Sequence, residues 1–261
     1  MNDILKVIAD NKRREISALY PKDDPDSLNI DKSCLPPLYS MKESIVNTPG
    51  GIIAEFKRRS PSKGDISPMA DVSKIIPEYV KSGASACSVL TDTRFFCGAN
   101  TDLAVARTLA DKTPLLRKDF IISKIQIHEA RKLGASAILL IAAILSKEEM
   151  REFNEYAHSL GLEALVEIHD IKELDKIDFK PDMLGVNNRN LSSFQTSVSH
   201  SFEIISSLPK DCVLVAESGI KNPDDLKRLR ESGFNGFLIG EAFMSTKNPG
   251  ETLKSFIDES K

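Results

Sequence analysis

The chain has 261 residues, 41% of them hydrophobic and 28% charged, with a net charge of −3 at pH 7. This length carries one large α/β domain or two small ones with ample core material. The mixed charge excludes a global field favouring nucleic acid or a membrane surface, and no apolar stretch is long enough to span a bilayer.

Residues 1–50 begin with an amphipathic helix carrying Ile4, Leu5, Ile8, Ile16 and Leu19, followed by a polar connection broken by Pro21, Pro25, Pro36 and Pro37. Two readings of this helix stand: a packing helix closing one end of the next domain, or a lid over a substrate. Periodicity alone favours the first. From residue 51 onward, short aliphatic runs recur: 52–57, 87–92, 115–119, 138–141, 164–167, 184–189, 213–218 and 237–241. Strands buried on both faces read as continuous apolar runs, and nearly every run here ends on a polar or charged residue.

Helical periods separate the runs. Val72, Ile75, Ile76, Tyr79 and Val80 precede Gly83, and Met150, Phe153, Tyr156, Ala157 and Leu160 precede Gly161. Ser146 with Glu149 forms a capping box, and Asn222-Pro223 and Asn248-Pro249 each place a capping residue before Pro at the first helical position. Gly-Ala-Ser-Ala occurs at 83–86 and again at 134–137, each time leading from a helix end into a strand. Strand and helix alternating eight times predict a single α/β domain over 51–261, a closed (β/α)8 TIM barrel with 1–50 as a helical extension packed on it.

Active sites of such barrels lie at the carboxyl ends of the strands, with phosphate beside the last two. Those ends supply Glu55 and Lys57, Lys118 and Asp119, Glu167, Asn187 and Arg189, Glu217 and Ser218, then Gly240. Lysines and carboxylates converging on one partly dry mouth shift one another's pKa values, which is the raw material of acid–base chemistry. Ser218-Gly219 and Gly240-Glu241 each leave a strand through glycine, where backbone N–H groups can approach an anion, and a helix starting near 241 would add its positive terminus. No dinucleotide-binding turn, P-loop, nucleophile elbow or metal-ligand spacing appears, so chemistry without cofactor or metal is expected. Of the scattered histidines only His169 falls near a strand end, read as structural or surface. Cys34, Cys87, Cys97 and Cys212 lack CxxC spacing, and the N-terminus lacks the apolar core of a signal peptide; a reduced, cytoplasmic protein is expected.

The segments Ile53–Ser62, Ser88–Thr91, Leu116–Phe120, Leu165–Glu167, Gly185–Arg189, Ala216–Ile220 and Leu238–Glu241 resemble, in order, the motifs of the indole-3-glycerol phosphate synthase family. The resemblance implies ring closure of 1-(2-carboxyphenylamino)-1-deoxyribulose 5-phosphate to indole-3-glycerol phosphate, with loss of carbon dioxide and water, in tryptophan biosynthesis. Lys118 then matches the general acid, its pKa lowered toward the working range by a neighbouring cation or desolvation. Glu167 matches the general base and Glu55 a second essential carboxylate. Lys57 matches the lysine beside the substrate carboxylate and joins Ser218, Gly219, Gly240 and Glu241 at the phosphate. The sequence leaves Lys57 and Lys118, and likewise Glu55 and Glu167, interchangeable in role. Ser60, Asn187, Arg189, Glu217 and Ser218 carry over as substrate-positioning residues, and Phe96, Phe120, Leu139, Ile141 and Leu191 as the apolar wall around the anthranilate ring. The chain has no Trp, and Asp92–Cys97 replaces the family's more usual acidic-and-tyrosine loop. A chain stopping soon after the eighth helix is expected to be monofunctional and a monomer, with a weak homodimer as the alternative. A rival phosphosugar isomerase would call for a Cys/Asp pair on opposite strands, where this chain offers Lys and Glu.

Overall fold

The structure is a computed structural model and describes residues 4–28, 32–189 and 195–260. Eight parallel strands close into a barrel: β1 (Ile52–Phe56), β2 (Ala86–Leu90), β3 (Leu115–Lys118), β4 (Ala137–Ile141), β5 (Glu163–Ile168), β6 (Met183–Asn187), β7 (Val213–Glu217) and β8 (Gly236–Ile239). Closure is made where β1 pairs with β8 (Ile53 opposite Leu238) on one side and with β2 (Ile53 opposite Ala86) on the other. The continuous apolar runs are explained by burial on both faces, since every residue of β1, β2 and β4 is buried.

The two-residue period of a strand splits these runs into two cores. Ile52, Ala54 and Phe56 face the helices, whereas Ile53 joins Ala86, Leu116, Ala137, Leu139, Leu165, Met183, Val215 and Leu238 inside the barrel. Residues two further along each strand share that inward parity, so Glu55, Lys118, Glu167, Asn187 and Glu217 stack as a polar layer on an apolar plug.

The expected helices form at Val72–Lys81, capped by Asp71, and at Lys147–Ser159, with both halves of the Ser146–Glu149 capping box present. Asn222 caps its helix by accepting from Asp225 N–H, but Asn248 does not cap: its side chain donates to Glu251 instead. The eightfold alternation has one exception. Between β5 and β6 the connection carries only a 3-10 helix, Ile171–Lys176. A small hairpin, pairing 59–60 with 64–65, is added after β1.

Among the described residues before the barrel, two α-helices form rather than one, α1 (Ile4–Leu19) and α2 (Met41–Asn47). They divide the two roles that periodicity left open. Helix α2 closes the amino end: Met41 and Ile45 join the interior core, while Ser40 and the backbone N–H groups of Met41 and Lys42 donate to Glu163 at the start of β5. Helix α1 lies across the carboxyl end, with Leu5 and Ile8 in the same core. Leu19, placed on the apolar face by its spacing, is exposed.

Candidate active site

The carboxyl mouth opens into a cavity of about 830 Å³, open solvent included. Its walls hold Glu55, Lys57, Ser60, Lys118, Glu167, Asn187, Arg189, Glu217 and Ser218 together with Phe96, Phe120, Leu139 and Ile141, and Ile4, Leu5 and Ile8 of α1 cover it. Every sequence-predicted site residue within the described part is therefore at this end of the barrel. Leu191 lies outside the described residues.

Two ion pairs organise the floor. Lys57 Nζ lies 2.5 Å from Glu55 Oε1. Lys118 Nζ lies 3.3 Å from Glu167 Oε2 and 3.6 Å from Glu217 Oε2. Cross-strand register produces this proximity: Ile141 is opposite Glu167, Glu167 opposite Gly185, and Asn187 opposite Glu217. Glycine at 185 is required by shape, because a Cβ there would sit 2.1 Å from Glu217 Oε1. Gly240 likewise leaves room for Glu55, whose Oε1 would lie 2.6 Å from an added Cβ. These glycines are thus spacers for carboxylates as well as points of close backbone approach.

The charges are strongly coupled. Burial disfavours the Lys118 ammonium, but Glu167, Glu217 and Glu55 outweigh it and hold its pKa above the ordinary lysine value. This corrects the expected lowering, because the carboxylates around Lys118 outweigh its desolvation. Burial pushes Glu167 up, yet Lys118 and His169 outweigh it and hold the carboxyl at about 2. Glu55 is kept below its ordinary value in the same way, by Lys57 and Lys118 against burial. Glu217 goes the other way: burial, then the Glu167 charge, push it well above the ordinary carboxylate value, which favours its protonated form. Neither Glu217 oxygen has a hydrogen-bond partner among the described residues.

His169 is not a bystander. It lines the cavity, with Nε2 3.3 Å from Glu167 Oε1 and neither ring nitrogen hydrogen-bonded to a described residue. The missed signal was parity, because a residue two beyond Glu167 in an extended chain faces the same way. Asn188 was also missed: its amide donates to the Ser218 carbonyl and accepts from Ser201, tying the ends of β6 and β7 together.

Next to the Lys57–Glu55 pair lies a smaller hollow of about 340 Å³, lined by Lys57, Arg189, Ser218, Gly219, Gly240 and Glu241 among others. Ser218 (φ 66°) and Gly219 (φ 78°) are both left-handed, an uncommon conformation for serine. The helix beginning at Glu241 is a single turn, 241–244, so its dipole is short. The Glu241 carboxylate faces Lys63 at 3.3 Å and Arg189 at 3.8 Å, leaving its backbone as the part suited to an anion. Arg189 also donates to Ser62 at 2.6 Å.

Fold and site define a (β/α)8 barrel with an acid–base cluster under an apolar wall. Solved structures share the fold: thiamine phosphate pyrophosphorylase from Pyrococcus furiosus (TM-score 0.61, 14% identity, 85% of this chain and 99% of that one) and 3-hexulose-6-phosphate synthase from Salmonella typhimurium (TM-score 0.63, 10% identity, 80% and 97%). At these identities the likeness concerns architecture alone.

The chain belongs to the indole-3-glycerol phosphate synthase family, whose model matches residues 5–256. It is 50% identical over 257 residues to the indole-3-glycerol phosphate synthase of Bacteroides thetaiotaomicron, covering 98% of each chain. It is 40% identical over 263 residues to that of Polynucleobacter asymbioticus, covering 97% of this chain and 98% of that one.

Proposed function

We propose that the mouth closes the indole ring of 1-(2-carboxyphenylamino)-1-deoxyribulose 5-phosphate, releasing carbon dioxide and water, with Lys118 as general acid and Glu167 as general base. The observation that carries this assignment is the position of Lys118, 3.3 Å from Glu167 and on the side of the mouth walled by Phe120, Leu139 and Ile141. A fully charged ammonium there polarises the ketone oxygen as the aromatic carbon attacks, then delivers the proton with which that oxygen leaves as water. Loss of the carboxylate as carbon dioxide returns its bonding electron pair to the six-membered ring and restores its aromaticity. Glu167, held ionised, removes the proton whose loss completes the indole. Glu217, protonated, donates a hydrogen bond to the substrate together with Asn187.

The other lysine takes the other end of the substrate. Lys57 and Glu55 adjoin the hollow formed by Ser218, Gly219, Gly240 and the backbone of Glu241, which suits a phosphate held largely by neutral N–H groups with Arg189 at its rim. Ser60 adds a hydroxyl at the same side. Phe96 and Phe120, with rings 6.0 Å apart, and the aliphatic side chains of β4 fold the anthranilate ring over the sugar and exclude water. A cytoplasmic location is proposed, in keeping with thiols rather than disulfides at Cys87, Cys97 and Cys212 and with the absence, among the described residues, of a helix long and apolar enough to cross a membrane; a monomer is proposed with it.

Because the chain contains no Trp, formation of indole is visible by fluorescence on a dark background. Purified protein given the carboxyphenylamino deoxyribulose phosphate generates that signal; its absence at micromolar enzyme overturns the proposal.

A further inference from the structure

Helix α1 buries a cation on its apolar face. Lys12 is 1% exposed and lies among Leu5, Ile8 and Ile16. An aliphatic side chain of that volume would dock the helix without desolvating a charge, so docking alone does not explain a lysine there. Its ammonium meets three carboxylates: Asp92 Oδ2 at 3.0 Å, Asp119 Oδ1 at 3.1 Å and Glu15 Oε1 at 3.2 Å. Lys12 supplies the electrostatic compensation of the buried Asp92 Oδ2.

The two aspartates hold the aromatic wall. Asp92 Oδ1 accepts the Phe95 N–H at 2.8 Å, capping the turn 93–96 that presents Phe96. Asp119 Oδ1 accepts the Phe120 N–H at 2.8 Å, and its Oδ2 accepts from Thr91 at 2.7 Å. A single ammonium therefore touches the carboxylates that set Phe96 and Phe120 and belongs to the helix that covers them. Apolar contact is non-directional, whereas a buried ion cluster satisfies its charges in one register.

We propose that Lys12 is a positioning residue for the aromatic subsite, coupling the docking of α1 to the placement of Phe96 and Phe120 and so setting affinity for the substrate ring. The proposal rests on the reading of that wall as the ring site. Burial works against the Lys12 charge, but the acids around it keep it protonated at every working pH, so the latch is constitutive.

Steady-state kinetics of Lys12→Met and Lys12→Arg, measured well below their unfolding temperatures, test it. In Lys12→Met, KM rises about tenfold or more while kcat changes less than about threefold and its pH profile stays in place. Lys12→Arg retains the cation and returns KM to within about threefold of the wild type. A folded Lys12→Met with wild-type KM, or an arginine variant as impaired as the methionine one, overturns the proposal. Should Lys12→Met fail to fold, Asp92→Asn takes its place: it keeps the acceptor for Phe95 N–H and removes the charge facing Lys12. A several-fold rise in its KM supports the latch, and an unchanged KM overturns it. Inactivity of the wild-type protein would instead count against the ring-closing reaction, which keeps the two failures apart.

Discussion

Two buried ion clusters adjoin at the end of β3, where Asp119 belongs to one and Lys118 to the other, and they differ in what holds them. Around Lys12, three carboxylates meet one ammonium, and Asp119 is shared with Arg117, which is further held by Glu129, Asn100 and the Gln126 carbonyl. Around Lys118, Glu167 and Glu217 meet one ammonium, burial and the Glu167 charge push the Glu217 carboxyl well up, and the nitrogens of His169 lack hydrogen-bond partners among the described residues. A network tied to surrounding side chains and carbonyls fixes geometry, while mutually perturbed groups with few such ties are left where a substrate supplies partners.

The largest effect expected from breaking this contrast is catalytic. Lys118→Met and Glu167→Gln each lower kcat by about a thousandfold while circular dichroism shows the fold intact. Near-wild-type turnover in both would remove the assigned roles. Gly185→Ala should follow, with kcat/KM down about a hundredfold, because the methyl group collides with the Glu217 carboxyl and displaces it against Lys118. A crystal structure of that variant with Glu217 unmoved would contradict the spacer role.

Stability then separates the clusters in sign. Asp119→Asn leaves Lys12 and Arg117 short of a buried counter-charge and costs about 3 kcal/mol in denaturant unfolding. Glu217→Gln removes a carboxyl that the fold holds protonated and is expected to stabilise by about 1 kcal/mol while slowing catalysis. If both variants lose stability alike, the contrast fails.

The smallest and most diagnostic effect is the pH slope. Lys12 and Arg117 outweigh burial and lower the folded pKa of Asp119, so its contribution is complete above the ordinary carboxyl range and is lost as pH falls through the folded value. Glu217 has a raised folded pKa, so its protonated form contributes fully below the ordinary carboxyl range and its contribution fades as pH rises toward the folded value. Unfolding free energy measured from pH 6 to 9 should therefore fall more in the wild type than in Glu217→Gln. Parallel curves would show that Glu217 is ionised in the folded protein.

Much of the mouth was legible because a barrel strand converts sequence into position. An aliphatic run with a polar tip can face only inward or outward, so Glu55, Lys118, Glu167 and Glu217 announced themselves as one layer once the runs were counted. His169 and Gly185 obeyed the same parity but were hidden, one by a residue type often structural and the other by having no side chain. Lys12 was hidden more deeply. Helical periodicity marks a lysine on an apolar face as an exception, and only the packed neighbour reveals the acids that it meets.

The sequence by itself determined the fold class, the order of the strands and the chemical types at their ends, because continuous burial and a period of two leave few other arrangements. Tertiary structure decided what those groups do to one another. Closure of the ring brings Lys118 against Glu167 and Glu217, raising a pKa expected to fall, and it distributes α1 and α2 to opposite ends. Local pattern records which residues seek burial, whereas charge coupling depends on distances across strands far apart in the chain, which exist only after the barrel closes.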